Sequence, residues 1–529
     1  MRSVALLALV SAVSAGHLSV PFSRQSFDNG HARRAALRKR QDDAEPFALE
    51  ALNNITGGGY YSEFEIGTPP QQISFLLDTG SSDTWVNSVE ADLCNDEELQ
   101  TYNGFCQTQC KYFPLPLLTS ESHFDPDESS TFETVNGEDF DIQYLDSRRI
   151  QGEYFKDTVT FGDVEVTGQR MGLALQSVRP TGIMGLGLSV NVASTREYPT
   201  IIDNLVDQGH INTRAYSLYL NDIDTDAGAL LFGGIDQKKF IGNLATLPLQ
   251  SDALAGTSQI TSFNVEIQGF DVVSPDGEKT VNIPNLDSLA ILDSGSTISL
   301  LPNDQVQDLW DEFGVLSFID VLAPFIDCAY RGDKGQGYKF EFRFDGKTIS
   351  VPMDEMVIDA YSDVQDIFKS DPTLRQYFGD WDGACMFGIG STSDFGIDDD
   401  QFTLLGATFL RSAYVVYDLA NEQLGIAQAN LNSTDTDIVD IEEGDLPDVT
   451  GVESQSTPTP TPSASTTSTE ATTTMTATEE PTATETDGGD NGDDQADDST
   501  DKEDNDDAGV RLIPSLLAAG ALSALMLVL

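Results

Sequence analysis

Two stretches of the chain echo one another: Phe75-Leu76-Leu77-Asp78-Thr79-Gly80-Ser81-Ser82 and, 215 positions later, Ala290-Ile291-Leu292-Asp293-Ser294-Gly295-Ser296-Thr297. Each sets a carboxylate at the end of an apolar run and before a glycine turn. Apolar runs of this length bounded by a turn signal read as buried strands. A lone carboxylate there carries a heavy desolvation cost unless it is paired or hydrogen-bonded. One copy by itself would be an ordinary turn punctuating a strand. Two matched copies point to a pair, with one acid from each half of the chain. Carboxylates that meet across such an interface cannot both ionise and share a proton, which is the condition acid/base chemistry needs.

The chain is long enough to hold more than one domain, and 39% hydrophobic residues supply a sizeable core. Against 28 Lys and Arg stand 87 Asp and Glu, a formal net charge of -59 that repels phosphate backbones and anionic membrane surfaces, so nucleic acid is excluded as a partner. That excess of acids sheds its charge only at low pH, which hints at an acidic working environment. Rival chemistries lack their residues. Of 4 histidines, His17 and His31 fall in segments expected to be removed, and neither His123 nor His210 has other ligands near it in sequence, so no metal site is expected. There is no Gly-x-Ser-x-Gly elbow, no cysteine with a neighbouring catalytic histidine and no Walker-type phosphate loop; no cofactor is expected.

Residues 1–15 combine Arg2, an apolar run and the small-residue end Val13-Ser14-Ala15, the pattern of a secretory signal. Residues 16–40 are basic, with Arg33-Arg34 and the dibasic Lys39-Arg40, and read as a propeptide able to lie over an acidic cleft until it is cut away. From there to about 435 short β-branched and aromatic runs alternate with Gly, Pro, Asn and Asp turns, the signature of a mostly β protein. We divide it into an N-terminal lobe over 41–205 and a C-terminal lobe over 206–435, with helices expected only at 304–313 and 363–368. Residues 436–507 lose their apolar content, become Ser/Thr/Pro-rich and then acidic, and read as a disordered stalk. Residues 508–529 pair a small-residue zone with an apolar tail, the pattern of a GPI-attachment signal that is removed, leaving no transmembrane helix. Asn54 and Asn432 head glycosylation sequons, in keeping with secretion. The 5 cysteines are too few for a disulfide scaffold; Cys94, Cys106 and Cys110 crowd one polar loop, which predicts one bridge and one leftover thiol.

The doubled motif resembles that of the pepsin-type aspartic endopeptidases, and other segments fall in matching order. Before Asp78 come Tyr60-Tyr61-Ser62 and Ile66-Gly67-Thr68-Pro69-Pro70. After it come Trp85 and Gly182-Ile183-Met184-Gly185-Leu186-Gly187. The second half has Leu404-Leu405-Gly406-Ala407-Thr408-Phe409-Leu410-Arg411 and Tyr417-Asp418. The resemblance covers about residues 60–428 and is closest to the fungal GPI-anchored yapsins and the candidapepsins. It implies a bilobal β fold with a cleft between the lobes, polypeptide substrates, a monomer, and a place on the extracellular face of the plasma membrane or in the cell wall. It further implies that Cys328 pairs with Cys385 and Cys94 with Cys106, with Cys110 as a departure that is either free or a replacement for Cys106.

By the same resemblance Asp78 and Asp293 are the catalytic acids, each in a loop with Gly80 or Gly295, and Ser81 and Ser296 hydrogen-bond their outer oxygens. Ile142-Gln143-Tyr144-Leu145-Asp146-Ser147 matches the flap that covers the cleft, with Leu145 standing where glycine is usual and Arg148-Arg149 following. Tyr144, Asp146 and Trp85 are the expected substrate-binding residues. An acid at Asp146 resembles a feature that accepts lysine or arginine beside the scissile bond, through a charge-assisted contact. The alternative to a peptidase is a wall or adhesion protein that displays an inert fold of this kind on its stalk; the intact motifs argue against it.

Overall fold

The computed structural model describes residues 18–24, 59–92 and 123–455, apart from short internal stretches. Residues 1–17, the remainder of the basic segment with Lys39-Arg40, Asn54, Cys94, Cys106, Cys110, and residues 456–529 lie outside the described residues.

Strands dominate because the sequence alternates. Tyr60–Ile66 buries every second residue, which sets one face of the strand on the core and turns the other outward. A single sheet of 14 strands joins the two halves. Its C-terminal part runs through Phe240–Pro248, Gln423–Ala429, Ala413–Asp418, Ala215–Tyr219 and Gly228–Phe232. The strand Leu18–Arg24 then lies antiparallel to both neighbours, with Leu18 opposite Phe232 and Arg24 opposite Tyr60, and so bridges to the N-terminal half. This strand belongs to the stretch read as a propeptide. Its described part forms a sheet strand between the halves.

The two acid-bearing strands have the same local setting. Gln71–Asp78 runs parallel to Gly182–Gly185, with Asp78 in register with Gly185. Ser288–Leu292 runs parallel to Phe402–Leu405, with Leu292 in register with Leu405. Each acid thus ends a strand backed by a second strand from later in its own half. Backbone bonds continue the pairing past the strand ends, from Leu186 N–H to Asp78 C=O at 2.8 Å and from Asp293 N–H to Leu405 C=O at 3.0 Å. Glycine is needed at 185, where a Cβ would stand 2.4 Å from the Ser82 carbonyl carbon.

Under the junction Tyr216 and Tyr417 stack with ring centroids 4.8 Å apart. The Tyr216 hydroxyl donates to Leu186 C=O of the N-terminal half at 3.0 Å, and burying these two large rings against Phe263 closes the core beneath the acids. Nearby, Arg411 and Glu355 form an ion pair with both side chains out of solvent. Glu355 also accepts the Ile223 N–H at 2.9 Å, the extra satisfaction a buried charge requires.

The helix expected at 304–313 is Asn303–Phe313, burying Val306, Leu309, Trp310 and Phe313 on one face and ending at Gly314 with φ 66°. The one expected at 363–368 is Gln365–Ser370, and a second helix, Pro372–Phe378, follows it. Ile201–Asp207 is also helical, opened by a capping box between Thr200 and Asp203, at the position where the lobe boundary was drawn. The C-terminal lobe does not stop at 435. Ile438–Asp440 pairs antiparallel with Gly234–Asp236, and Ile441 and Val449 are buried, so the fold reaches into residues assigned to the stalk. Its apolar residues are few and set among acids, so they leave no periodic signal.

Candidate active site

Asp78 and Asp293 lie at the junction of the halves, 5% and 8% exposed, each carboxyl set against the glycine of the other's loop. In each loop the same two donors hold the acid. Gly80 N–H reaches Asp78 Oδ1 at 2.8 Å, and Gly295 N–H reaches Asp293 Oδ1 at 2.8 Å. The Ser81 hydroxyl donates to Asp78 Oδ2, and the Ser296 hydroxyl donates to Asp293 Oδ2 at 2.6 Å. Glycine is obligatory in both loops for a reason that involves the opposite acid. A Cβ on Gly80 would stand 2.6 Å from Asp293 Cγ, and one on Gly295 would stand 2.3 Å from Asp78 Oδ1.

Burial, and after it the neighbouring Asp293, push the Asp78 carboxyl up to about 7, against the Ser81 hydroxyl and the Gly80 N–H, which favour its ionised form. Two carboxyls in this arrangement keep one proton between them. Such a pair can take a proton from one atom and give one to another, with the serine bonds fixing the outer oxygens.

Thr79 and Ser294, which the reading of the sequence did not single out, tie the two loops together. Thr79 N–H donates to Ser294 Oγ at 3.1 Å and Ser294 N–H donates to Thr79 Oγ1 at 2.9 Å. The signal was present in the motif, as a hydroxyl residue at the same place in each copy.

The hairpin of Glu133–Gln143 and Arg149–Phe161 carries the flap. Its tip closes through Tyr144 N–H to Arg148 C=O at 2.9 Å and Ser147 N–H to Tyr144 C=O at 3.0 Å, with Ser147 in the left-handed region at φ 65°. Leu145, in place of the usual glycine, is 42% exposed and points away from the core, so the turn takes its positive φ at Ser147 instead. Trp85 is fully buried and its Nε1 donates to the Tyr144 hydroxyl at 2.7 Å. Burial first, and the charge of Asp78 second, raise the Tyr144 phenol. Tyr144 and Trp85 are therefore brought to the acid pair as a hydrogen-bonded unit.

Asp146, expected to accept a basic substrate side chain, is engaged by groups of its own chain. Its Oδ1 accepts the Arg148 N–H at 3.0 Å, and its Oδ2 accepts Arg179 Nη2 at 2.6 Å. The Arg179 guanidinium also lies 5.1 Å from the Tyr144 ring centroid. Sequence reasoning missed Arg179; a basic residue shortly before the Gly182 segment, in so acidic a chain, was the available sign.

Asp83, also overlooked, braces the N-terminal loop from behind. It accepts the Tyr198 hydroxyl at 2.6 Å, the Tyr154 hydroxyl at 3.1 Å and the Ala193 N–H at 2.6 Å. In the C-terminal half Cys328 and Cys385 form a disulfide. Among the described residues these two cysteines and Asp359 make the one grouping compact enough for a metal, and the disulfide uses both thiols. Asn432 sits in a left-handed turn at φ 61°, with its amide 3.3 Å from Asp222 Oδ2.

A bilobal β fold with a buried carboxyl pair between matched Asp-Gly loops, covered by a tyrosine-bearing hairpin, defines a hydrolase of the aspartic type. The chain belongs to the eukaryotic aspartyl protease family, whose model matches residues 59–429. It is 31% identical over 431 residues to "Probable aspartic-type endopeptidase opsB" of Aspergillus fumigatus, covering 80% of this chain and 79% of that protein. It is 32% identical over 403 residues to "Acid protease" of Saccharomycopsis fibuligera, covering 75% of this chain and 86% of that protein. With "Aspartic proteinase MKC7" of Saccharomyces cerevisiae it shares 28% identity over 467 residues, 78% of this chain and 72% of that protein. The protein is an aspartic endopeptidase, and its substrates are polypeptides.

Proposed function

We propose that Asp78 and Asp293 are its catalytic pair and that it cleaves proteins at or near the cell surface in an acidic environment. The observation that carries this is the close approach of two buried carboxyls, each set against the other's loop and held by its own glycine N–H and serine hydroxyl. The ionised carboxylate takes a proton from a water held between the acids, and that water attacks the scissile carbonyl. The protonated partner gives its proton to the carbonyl oxygen, and collapse of the tetrahedral intermediate returns a proton to the leaving amine. No covalent enzyme intermediate forms. Tyr144, held by Trp85, closes over the bound chain, and Asp146 receives a lysine or arginine side chain beside the scissile bond by a charge-assisted contact.

The residues outside the catalytic fold carry the rest of the proposal. The signal at 1–15, the dibasic Lys39-Arg40, the Ser/Thr/Pro-rich stalk and the apolar segment toward Leu529 support a secreted zymogen, monomeric, glycosylated and held by a GPI anchor on the extracellular face of the plasma membrane. Processing after Arg40 would sever the strand Leu18–Arg24 from the rest of the chain, so activation and the central sheet are linked through that strand.

An acid-pH cleavage profile on a peptide library tests the site. Cleavage by the processed chain, lost in Asp78→Asn and in Asp293→Asn, is the expected result; equal cleavage by both variants overturns the assignment. Release of the protein from cells by a phosphatidylinositol-specific phospholipase is expected, and retention despite that treatment overturns the anchor.

A further inference from the structure

The flap acid is already occupied by a cation from its own chain. Arg179 Nη2 donates to Asp146 Oδ2 at 2.6 Å while its guanidinium lies over Tyr144, the side chain whose phenol feels the charge of Asp78. A guanidinium therefore stands beside the flap tyrosine and on the flap carboxylate. A lysine or arginine next to the scissile bond would have to make these same contacts to be recognised by Asp146. We propose that Arg179 is a specificity-determining residue: it acts as an internal stand-in for a basic substrate side chain and competes with it for Asp146. This rests on the reading of Asp146 as the acceptor of basic side chains.

Three observations support competition over a permanent structural tie. The Arg179 backbone is fixed independently of its side chain, because its C=O accepts Asn87 Nδ2 at 2.9 Å and Ser177 Oγ at 3.1 Å. The side chain can thus move without unravelling the loop. Its hold on the flap is incomplete, since Nε is buried and has no hydrogen-bond partner among the described residues. Asp146 is also shared: Arg148 Nη1 lies 3.7 Å from the same Oδ2, and the Arg148 guanidinium is disfavoured first by burial and then by Arg179. With two cations on one anion, the charge of Arg148 weakens the hold of Arg179 on Asp146. A basic substrate must displace Arg179, whereas an apolar one leaves it in place.

The test uses two peptides that differ only in carrying lysine or norleucine before the scissile bond, with kcat/KM measured for the processed parent chain, Arg179→Gln, Asp146→Asn, the double variant and Arg179→Lys. Arg179→Gln is expected to raise the lysine-to-norleucine ratio by roughly tenfold, the scale of one charge-assisted hydrogen bond. Asp146→Asn lowers the ratio, the double variant stays at the Asp146→Asn value, and Arg179→Lys stays near the parent. An unchanged or lowered ratio in Arg179→Gln overturns the proposal. So does an equal rise in the double variant, because the gain would then not pass through Asp146. If Asp146→Asn leaves the ratio untouched, the reading of Asp146 itself falls and the proposal with it; if only Asp146→Asn moves the ratio, Asp146 keeps its role and Arg179 loses its own. Should Arg179→Gln fail to fold, Arg179→Met gives the same comparison, with the thermal midpoint as the control.

Discussion

Thr79 and Ser294 exchange hydrogen bonds across the junction of the two halves, each accepting on its hydroxyl the backbone N–H of the other. Each hydroxyl then spends its own proton on the opposite half, Thr79 on Leu292 C=O at 2.8 Å and Ser294 on Leu77 C=O at 2.7 Å. Four bonds thus cross between the acid-bearing loops directly beneath the carboxyls. Thr79→Val and Ser294→Ala each remove a hydroxyl and leave the buried N–H it accepted unmatched, while Leu292 C=O keeps the Tyr417 hydroxyl at 3.4 Å. Each variant is expected to lose about 1–3 kcal/mol per orphaned group in denaturant unfolding, and to lose activity by more than its unfolded fraction explains.

The pH dependence of cleavage follows from the carboxyl pair. Asp78 is raised from 3.8 to about 7, so it keeps its proton throughout the acid range and releases it only as the pH climbs through that value. Once both acids are ionised the pair has no acid to give. Initial rates on one peptide are expected to be high in acid and to fall tenfold per pH unit above about 7, with unfolding followed in parallel by fluorescence.

Gly295→Ala isolates the role of the close approach between loops. The added methyl would stand 2.3 Å from Asp78 Oδ1, and the only atoms able to yield are the carboxyl itself and the two loop backbones. Cleavage is expected to fall by on the order of a hundredfold or more, the contribution of correctly placed acid/base groups. Because Gly295 lies at the floor of the cleft and not in a packed core, the thermal midpoint is expected to move far less than the rate.

How much of this was legible depended on whether a residue acts through its own segment or through a distant one. Asp78 and Asp293 were visible because each stands in a local pattern that repeats, and the helix Asn303–Phe313 because its buried face recurs at helical spacing. The burial of Ile441 and Val449 was not, since it depends on packing against residues such as Ile235, Phe240 and Tyr414 that the folded chain brings to them. Asp146 shows the same limit at the site. Its type and place were readable, but its partner, Arg179, lies 33 residues away and reaches it only in the folded chain. The left-handed residue of the flap turn is Ser147, at φ 65°, two positions after Leu145, and no local pattern marks it.

Trp85→Phe tests the hydrogen bond that fixes the flap tyrosine. Phe keeps an aromatic ring in the buried site but cannot donate to the Tyr144 hydroxyl. The lost bond is worth about 1 kcal/mol, or roughly fivefold in kcat/KM. The smaller ring adds a loss of thermal stability of similar size. The pH profile of cleavage is expected to keep its midpoint, since Asp78 owes its shift to burial and Asp293.

Asp83 gives stability a pH dependence of its own. Burial raises its carboxyl above the ordinary 3.8 even though Tyr198, Tyr154 and the Ala193 N–H all donate to it. A carboxyl raised on folding stabilises the fold fully below its unfolded value, and that contribution is lost as the pH rises through the folded one. The protein is therefore expected to gain from acid at this position, in the range where the acid pair also works. In Asp83→Asn the amide oxygen can still accept both tyrosines, but the amide nitrogen faces Ala193 N–H and one bond is lost, at about 1–3 kcal/mol. The variant is expected to be less stable than the parent at pH 4, and the gap is expected to narrow toward pH 7. Thermal midpoints of the two proteins, measured side by side across that interval, check it; a gap that stays constant or widens with pH would mean that Asp83 is not the titrating group.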